Sequence, residues 1–332
     1  MTNHPEYQTL EPSLPPIDYR RERRRIAVPA FAISFVFLFS TLLQAILVEL
    51  VLMFCPQLVD YDWFIWVASM VPMYAVAMPL SLIFFNFEPA QKPTQKSIPF
   101  PLLLGLLAIC FALTYAGNYL GQIVNAIIGA ITGKQPPNDL QELTMESPFW
   151  TNLLFCGILA PVMEEIFYRK MLIDRLRPLG EIPTVLISGI LFGLIHGNFN
   201  QFFYAAFIGI LFGYIYLYTG KIRYTIALHM GVNLVGGVYS VEMLKRMNLE
   251  RLQTDPYLEM FQNFGAYAMM LAYFTFIGIA LIGTIVAVVY LVRMRPRLQK
   301  NDRPLRFSQW ARIGFLNPGV WLLAFVVLLL FL

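Results

Sequence analysis

Two shortages in the sequence narrow the class of protein: charged residues and cysteines. Only 13% of the 332 residues are charged, against about 25% in an ordinary soluble domain. So little charge cannot cover the surface of a water-soluble chain of this length. The three cysteines, Cys55, Cys110 and Cys156, lie far apart and form no CxxC pair, so the sequence indicates neither a disulfide framework nor a cysteine metal site.

Apolar residues take the place of the missing charge and make up 58% of the chain. A membrane-spanning helix needs about 20 mostly apolar residues to cross about 30 Å of hydrocarbon. Nine runs approach or exceed that length: residues 26–54, 63–87, 99–132, 149–168, 182–197, 200–219, 224–241, 266–292 and 316–332. Backbone groups in hydrocarbon must be satisfied internally, and runs this long are therefore helices. The sequence predicts an all-α, polytopic transmembrane helix bundle with about eight or nine spans.

The basic residues predict the orientation of this bundle, because short cytoplasmic loops carry an excess of Lys and Arg. An arginine cluster at residues 20–25 places the N-terminus in the cytoplasm. The other loops on that side carry Lys92 and Lys96, Arg169 to Arg177, Lys221 and Arg223, and Arg293 to Arg306. We therefore interpret the net charge of +4 as a topology signal. We expect a multi-pass protein of the cell membrane, surrounded by membrane lipid, that binds no nucleic acid.

Four regions follow from this pattern. Residues 1–25 form a basic cytoplasmic tail without the apolar core or cleavage site of a signal peptide, so we expect the first span to remain in the mature protein. Residues 26–148 hold the N-terminal transmembrane helices, and residues 242–332 hold the C-terminal ones. Residues 149–241 form the core helices, which carry three short motifs.

The first motif is a pair of carboxylates in the fourth run, within ILAPVMEEIFYRKM. An ionisable side chain inside a span costs about 2.5–3.5 kcal/mol on insertion scales, so each one is a candidate functional residue. Residues four apart share a helix face, so Glu165 can pair with Arg169 while Glu164 points about 100° away. The spacing predicts one neutralised carboxylate and one that remains available.

The other two motifs place histidines in apolar helices. His196 follows Phe192 by four residues at the end of the fifth run, and His229 precedes Asn233 by four residues in the seventh. A carboxylate, two imidazoles and an amide can together activate water and stabilise an oxyanion. Alternatively, Glu164, His196 and His229 match the three-ligand pattern of a catalytic zinc site. The residues leave both chemistries open, and we assign no cofactor.

The three motifs resemble those of the intramembrane CAAX proteases and bacteriocin-processing enzymes known as the CPBP or Abi family. The family patterns EExxxR, FxxxH and HxxxN read here as Glu164, Glu165 and Arg169, then Phe192 and His196, then His229 and Asn233. The resemblance covers residues 149–241 and implies an endopeptidase in which Glu164 and His196 activate water. It implies that His229 and Asn233 form the oxyanion hole and that Glu165, Arg169 and Phe192 support the site.

The resemblance implies a peptide or protein substrate, with or without a prenyl group, cut near the cytoplasmic face. The alternative function is a non-catalytic immunity factor, transporter or regulator on the same scaffold. Other intramembrane proteases do not fit, because the chain has no HExxH and no GxGD.

The predicted topology poses one geometric problem. His196 ends an outward-going span about 20 Å from position 182, whereas Glu164 and His229 lie near cytoplasmic ends. We therefore expect a tilted or late-starting fifth helix, or a fourth helix that extends past Arg169. Either arrangement would place the site in a cavity that we expect to open to the cytoplasm.

Overall fold

The chain folds as a bundle of helices in a computed structural model that describes residues 17–294, 298 and 305–331. The described residues contain 13 helices and no strand, which confirms the all-α fold. In chain order the helices are α1 (Tyr19–Phe54), α2 (Phe64–Phe85), α3 (Phe100–Thr132), α4 (Asp139–Glu146), α5 (Phe149–Leu179), α6 (Glu181–Leu194), α7 (Phe199–Thr219), α8 (residues 222–245), α9 (Leu249–Thr254), α10 (Pro256–Gln262), α11 (Phe264–Met294), α12 (Phe307–Phe315) and α13 (Pro318–Phe331).

The structure has fewer candidate spans than the nine apolar runs suggested. In the described part of the chain, six helices are long and apolar enough to cross a membrane: α1, α2, α3, α5, α7 and α11. Helices α12 and α13 would add a seventh span if the pair, bent by 76°, is counted as one. Helix α6 has only 14 residues, or about 21 Å. Helix α8 is not among the six.

Helix α1 begins earlier than the predicted first span. Asp18 caps it by accepting hydrogen bonds from the backbone N–H groups of Arg20 and Arg21. The arginine cluster of the predicted tail therefore belongs to the first turns of α1. Residues 1–16 of that tail lie outside the described residues, as do 295–297, 299–304 and 332.

The geometric problem of His196 is solved by the lengths of α5 and α6. Helix α5 continues past Arg169 to Leu179, as one of the two expected arrangements required. Gly180, with φ of 106°, turns the chain into α6. Leu179 follows Glu164 by fifteen positions and His196 follows Glu181 by fifteen positions, so both stretches span about 22 Å. His196 consequently returns to the level of Glu164.

Glycines let α6 pack closely against α7. A Cβ atom on Gly193 would lie 2.6 Å from the carbonyl oxygen of Phe202, and one on Gly189 would lie 2.6 Å from the backbone nitrogen of Ile210. Small residues permit such approaches between transmembrane helices. The tight connection between α6 and α7 contains Gly197, which has a φ of 65°. Asn198 then caps α7 by accepting a hydrogen bond from Gln201 N–H at 2.9 Å.

Helices α2, α5 and α8 contain π-helical stretches. These are Val71–Ala77 in α2, Leu153–Leu159 and Ile166–Ile173 in α5, and Leu234–Tyr239 in α8. Each extra residue in a turn rotates the side chains that follow, and such stretches often accompany functional sites. Here the stretches lie beside Glu164, Glu165 and Asn233 and contain Tyr74.

The basic loops meet at one end of the bundle, called the basic end below. Lys221 Nζ donates to Ser97 Oγ at 2.7 Å, and Arg177 Nη1 donates to Lys92 O at 2.8 Å. At the opposite end, called the α4 end, Trp66 Nε1 of α2 donates to Ser147 Oγ, just after α4, at 2.7 Å. The contacts agree with the predicted alternation of loops between the two sides.

The close packing of α6 against α7 makes Gly193→Ala a sharp test. The added methyl group would overlap backbone atoms that cannot rotate away, so the free energy of unfolding should fall by about 1–3 kcal/mol. Gly278→Ala in α11 is the matched control, because a Cβ atom there meets nothing within 4 Å. Thermal unfolding of the detergent-purified proteins measures both. Equal stability of the two variants would contradict the packing.

Candidate active site

A buried ion pair lies beneath the candidate site. Arg169 Nε lies 3.1 Å from Glu165 Oε2, and both side chains are 0% exposed. The two groups meet as an ion pair without hydrogen-bond alignment, and Arg169 Nη1 and Nη2 find no hydrogen-bond partner among the described residues. Instead, the guanidinium lies 4.7 Å from the ring centre of Phe192 and 5.5 Å from that of Phe212. Cation–π attraction to two rings therefore replaces the missing hydrogen bonds.

His229 connects this pair to the second carboxylate. Its Nδ1 lies 3.2 Å from Glu165 Oε1, and its Nε2 lies 3.8 Å from Glu164 Oε2. A carboxylate only accepts hydrogen bonds, so the Glu165 contact assigns the proton to Nδ1. The longer contact leaves Nε2 without a direct hydrogen bond to Glu164. Nδ1 of His229 is therefore held by Glu165, whereas Nε2 is available to another partner.

Glu164 has the exposure and the partner that a reactive carboxylate needs. Its side chain is 14% exposed and lines a cavity, whereas Glu165 lies behind it and is fully buried. The hydroxyl of Tyr74 donates to Glu164 Oε1 at 2.8 Å. Glu165 thus pairs with Arg169, as the four-residue spacing predicted, whereas Glu164 faces the cavity.

Phe192 fixes the position of His196. His196 Nδ1 lies 2.8 Å from the carbonyl oxygen of Phe192, which assigns the proton to Nδ1 and leaves Nε2 as an acceptor. The Phe192 ring also meets the His196 ring at 5.3 Å and the His229 ring at 5.6 Å, both edge to face. One aromatic side chain thus contacts both histidines and Arg169.

Asn233 lies one turn after His229 and lines the same cavity. Its Nδ2 donates to the carbonyl oxygen of Cys156 in α5 at 2.9 Å. An amide nitrogen carries two protons, so one proton remains for another acceptor. The bond to Cys156 holds the amide in place between α5 and α8.

These side chains surround a cavity of about 790 Å³. Glu164, Phe192, His196, His229, Asn233 and Tyr74 all contribute to its wall. In the part of the chain that the structure describes, Glu164 is the only Asp, Glu, Lys or Arg that lines it. The structure thus brings the exposed members of all three motifs into one cavity.

The cavity extends toward the α4 end, so the expected opening to the cytoplasm and the predicted cytoplasmic position of the basic loops do not both hold. Its wall includes Leu140 and Thr144 of α4 and Leu244 near the end of α8. No lining residue lies between 85 and 110 or between 209 and 228, where the loops of the basic end are found. The physical reason is that the buried pair of Glu165 and Arg169 fills the bundle on the other side of Glu164.

The zinc alternative requires three ligands around one point. Among the described residues, no group of three His, Cys, Asp or Glu side chains is arranged to hold a metal ion. Glu164, His196 and His229 therefore do not form the three-ligand set of the zinc alternative. Nδ1 of His196 faces the carbonyl oxygen of Phe192, and Nδ1 of His229 faces Glu165. Only the two Nε2 atoms therefore remain for another partner.

Sequence reasoning missed Tyr74. It belongs to α2, far from the three motifs in the chain, and no spacing connects it to Glu164. The only available signal was a hydroxyl group inside an apolar span. Tyrosines are common in membrane proteins, so that signal alone does not single it out.

Residues 146–235 match the Rce1-like family model, described as Type II CAAX prenyl endopeptidase Rce1-like. The matched segment contains every motif residue from Glu164 to Asn233 and excludes Tyr74. The match covers residues 146–235 of the 332 and agrees with the resemblance seen in the three motifs. No curated protein and no solved structure gives a significant match to the chain.

The buried pair predicts unequal effects of single and double substitutions. Arg169→Met leaves the Glu165 carboxylate without its cation and should cost about 3–5 kcal/mol of unfolding free energy. Adding Glu165→Gln removes the uncompensated charge and keeps an acceptor for His229 Nδ1, so the double variant should regain part of that loss. Thermal unfolding in detergent measures this recovery. A double variant as unstable as the sum of the single variants would argue against the pair.

Proposed function

We propose that the protein is an intramembrane endopeptidase of the cell membrane in which Glu164 activates water for peptide-bond hydrolysis. The observation that supports this most strongly is the position of Glu164. Among the described residues, it is the only Asp or Glu that lines the cavity shared with His196, His229 and Asn233, and Tyr74 donates a hydrogen bond to one of its oxygens. A carboxylate in this position can act as a general base that takes a proton from a water molecule in the cavity.

In this proposal the water lies between Glu164 and His196. The Tyr74 bond occupies Glu164 Oε1, so Oε2 is the oxygen available to take a proton. His196 Nε2 is an acceptor, because Nδ1 donates to Phe192 O. Two acceptors that converge on one water orient its lone pair toward a substrate carbonyl.

His229 and Asn233 would stabilise the oxyanion. When protonated, His229 donates through both nitrogens, with Nδ1 directed to Glu165 and Nε2 directed to the cavity. Asn233 offers the amide proton that Cys156 O does not use. Donors that are held in place before the reaction stabilise a developing charge without reorganisation.

The reaction then balances without a further reactant. Glu164 takes one proton from the water while the water oxygen bonds to the carbonyl carbon of the substrate. The carbonyl oxygen then becomes the oxyanion. The tetrahedral intermediate collapses, the C–N bond breaks, and Glu164 gives the proton to the leaving nitrogen. The products are a carboxylic acid and an amine, and transfer of the acid's proton to the amine gives a carboxylate and an ammonium ion. The substrate is a peptide or protein, with or without a prenyl group.

Glu164→Gln tests the proposal directly. The amide keeps the size of the side chain and an acceptor for Tyr74 but cannot take the proton. We expect kcat/KM for cleavage of fluorogenic peptides, including farnesylated CAAX peptides, to fall by about 10²–10⁴-fold in detergent. The matched control is Glu142→Gln, since Glu142 is exposed in α4 and does not line the cavity.

A chelator separates the two chemistries that the sequence left open. We expect cleavage by the wild type to survive chelation, because Glu164 activates water in this proposal without a metal. Loss of cleavage in chelator would favour the zinc alternative. Cleavage that persists in Glu164→Gln would contradict the role of Glu164, and absence of cleavage by the wild type would favour the non-catalytic alternative.

A further inference from the structure

We propose that a groove between α3 and α11 binds one acyl chain of an anionic phospholipid, with the lipid phosphate against Arg223 and Arg293 at the basic end. The site is separate from the cavity around Glu164, and lipid binding there does not depend on the proposed function. Three features support this assignment: the lining of the groove, its length and the charges at one of its ends.

The lining of the groove is almost entirely hydrocarbon. The groove has a volume of about 680 Å³, and apart from Tyr290 every described residue that lines it is apolar or glycine. Ile279 and Val286 of α11 line it and are each 65% exposed, so no other described part of the chain covers them. Both helices are long and apolar enough to cross a membrane, so lipid surrounds the groove.

The length of the groove fits an acyl chain from one leaflet. Its lining runs from Pro99 to Phe111 in α3 and from Tyr290 back to Phe276 in α11. At about 1.5 Å per residue these stretches measure about 18 and 21 Å, compared with about 15 Å for half of the hydrocarbon core. An acyl chain that enters from the basic end can therefore lie along it. A partner helix that crosses the membrane would need a groove along the whole of α3.

Aromatic side chains close the far end of the groove. Phe111 lines both the groove and the cavity around Glu164, and its ring meets that of Phe276 edge to face at 5.1 Å. One turn further along α3, the hydroxyl groups of Tyr115 and Tyr273 are in hydrogen-bond contact. The end of a bound acyl chain would therefore pack against Phe111, which separates it from the candidate active site.

Helical spacing places Arg293 at the basic end of the groove. Ile279, Gly283, Val286 and Tyr290 line the groove at alternating intervals of four and three residues, and Arg293 continues this series. Residues three or four apart share a helix face, so Arg293 lies one turn beyond Tyr290 on the face that lines the groove. Its side chain is exposed, and a long basic side chain at a helix end can extend to a phosphate at the membrane surface.

A second arginine lies near the start of the groove. Arg223 Nη2 donates to the hydroxyl of Tyr224 at 3.3 Å, and the same hydroxyl accepts from the N–H of Ile98, which precedes Pro99. Neither α3 nor α11 contains Asp or Glu. Basic side chains at the membrane surface attract anionic headgroups, so this end of the groove favours phospholipids that carry a net negative charge.

Native mass spectrometry of the delipidated protein, titrated in detergent with phosphatidylglycerol or phosphatidylcholine, tests the site. We expect the wild type to bind one phosphatidylglycerol about fivefold or more tightly than phosphatidylcholine. Gly283→Leu should lose this bound lipid, because the added side chain occupies the groove. Gly278→Leu is the matched control, since Gly278 lies on the same helix outside the lining and a Cβ atom there meets nothing within 4 Å.

Arg293→Gln tests the contact with the headgroup. The affinity for phosphatidylglycerol should fall about fivefold, whereas the affinity for phosphatidylcholine should not change. Lys134→Gln, which removes an exposed charge just after α3 at the α4 end, should change neither affinity. If Gly283→Leu fails to fold, Ile279→Trp fills the groove from its exposed side. Ile282→Trp is then the control, because Ile282 is 66% exposed and lies outside the lining.

A phosphatidylglycerol with a photoreactive group at the end of one acyl chain locates the bound chain. We expect adducts on α3 and α11 near Phe111 and Phe276, and their loss in Gly283→Leu. Adducts spread evenly over the exposed faces of α1 and α11 would indicate annular lipid only and overturn the site. Equal affinity for the two lipids, retention of the lipid by Gly283→Leu or a wild-type dimer without lipid would also overturn it. Displacement of the lipid by a farnesylated CAAX peptide would overturn it by assigning the groove to the substrate.

Discussion

The buried contact between Glu165 and Arg169 is the interaction on which the rest of the site depends. Removing two charges from water costs several kcal/mol per ion unless other groups compensate. Here Phe192 and Phe212 cover the guanidinium, and His229 uses the second oxygen of Glu165. Each compensating group lies on a different helix, α6, α7 and α8. The side chains that stabilise this buried pair therefore hold α6, α7 and α8 against α5.

The three motifs acquire a physical meaning from this arrangement. In EExxxR the four-residue spacing pairs Glu165 with Arg169 and turns Glu164 to the cavity. In FxxxH the same spacing lets His196 Nδ1 donate to the carbonyl of Phe192, whose ring covers Arg169. In HxxxN, His229 lies 3.2 Å from Glu165 and 3.8 Å from Glu164. The long α5, the short α6 and the π-helical turns then bring the reactive groups to one depth.

Much of this could be predicted from the sequence, because it depends on local periodicity. Helix faces follow from spacing, so the separate roles of Glu164 and Glu165 and the position of Asn233 one turn after His229 were accessible. Tyr74 was not, since its contact with Glu164 joins residues 90 apart in sequence. The direction of the cavity was also inaccessible. It depends on how Phe192 and Phe212 close one end, which no single segment reveals.

In the proposed function, the helices around the buried pair present Glu164, His229 and Asn233 to one substrate carbonyl. The most direct test of this arrangement is the affinity of a peptide trifluoromethyl ketone, which hydrates to a tetrahedral gem-diol, relative to the parent peptide. We predict that the wild type binds the ketone about 10²-fold or more tightly than the peptide, as a transition-state mimic should bind. Asn233→Ala should remove much of that preference. Equal affinity for ketone and peptide in the wild type would contradict the account.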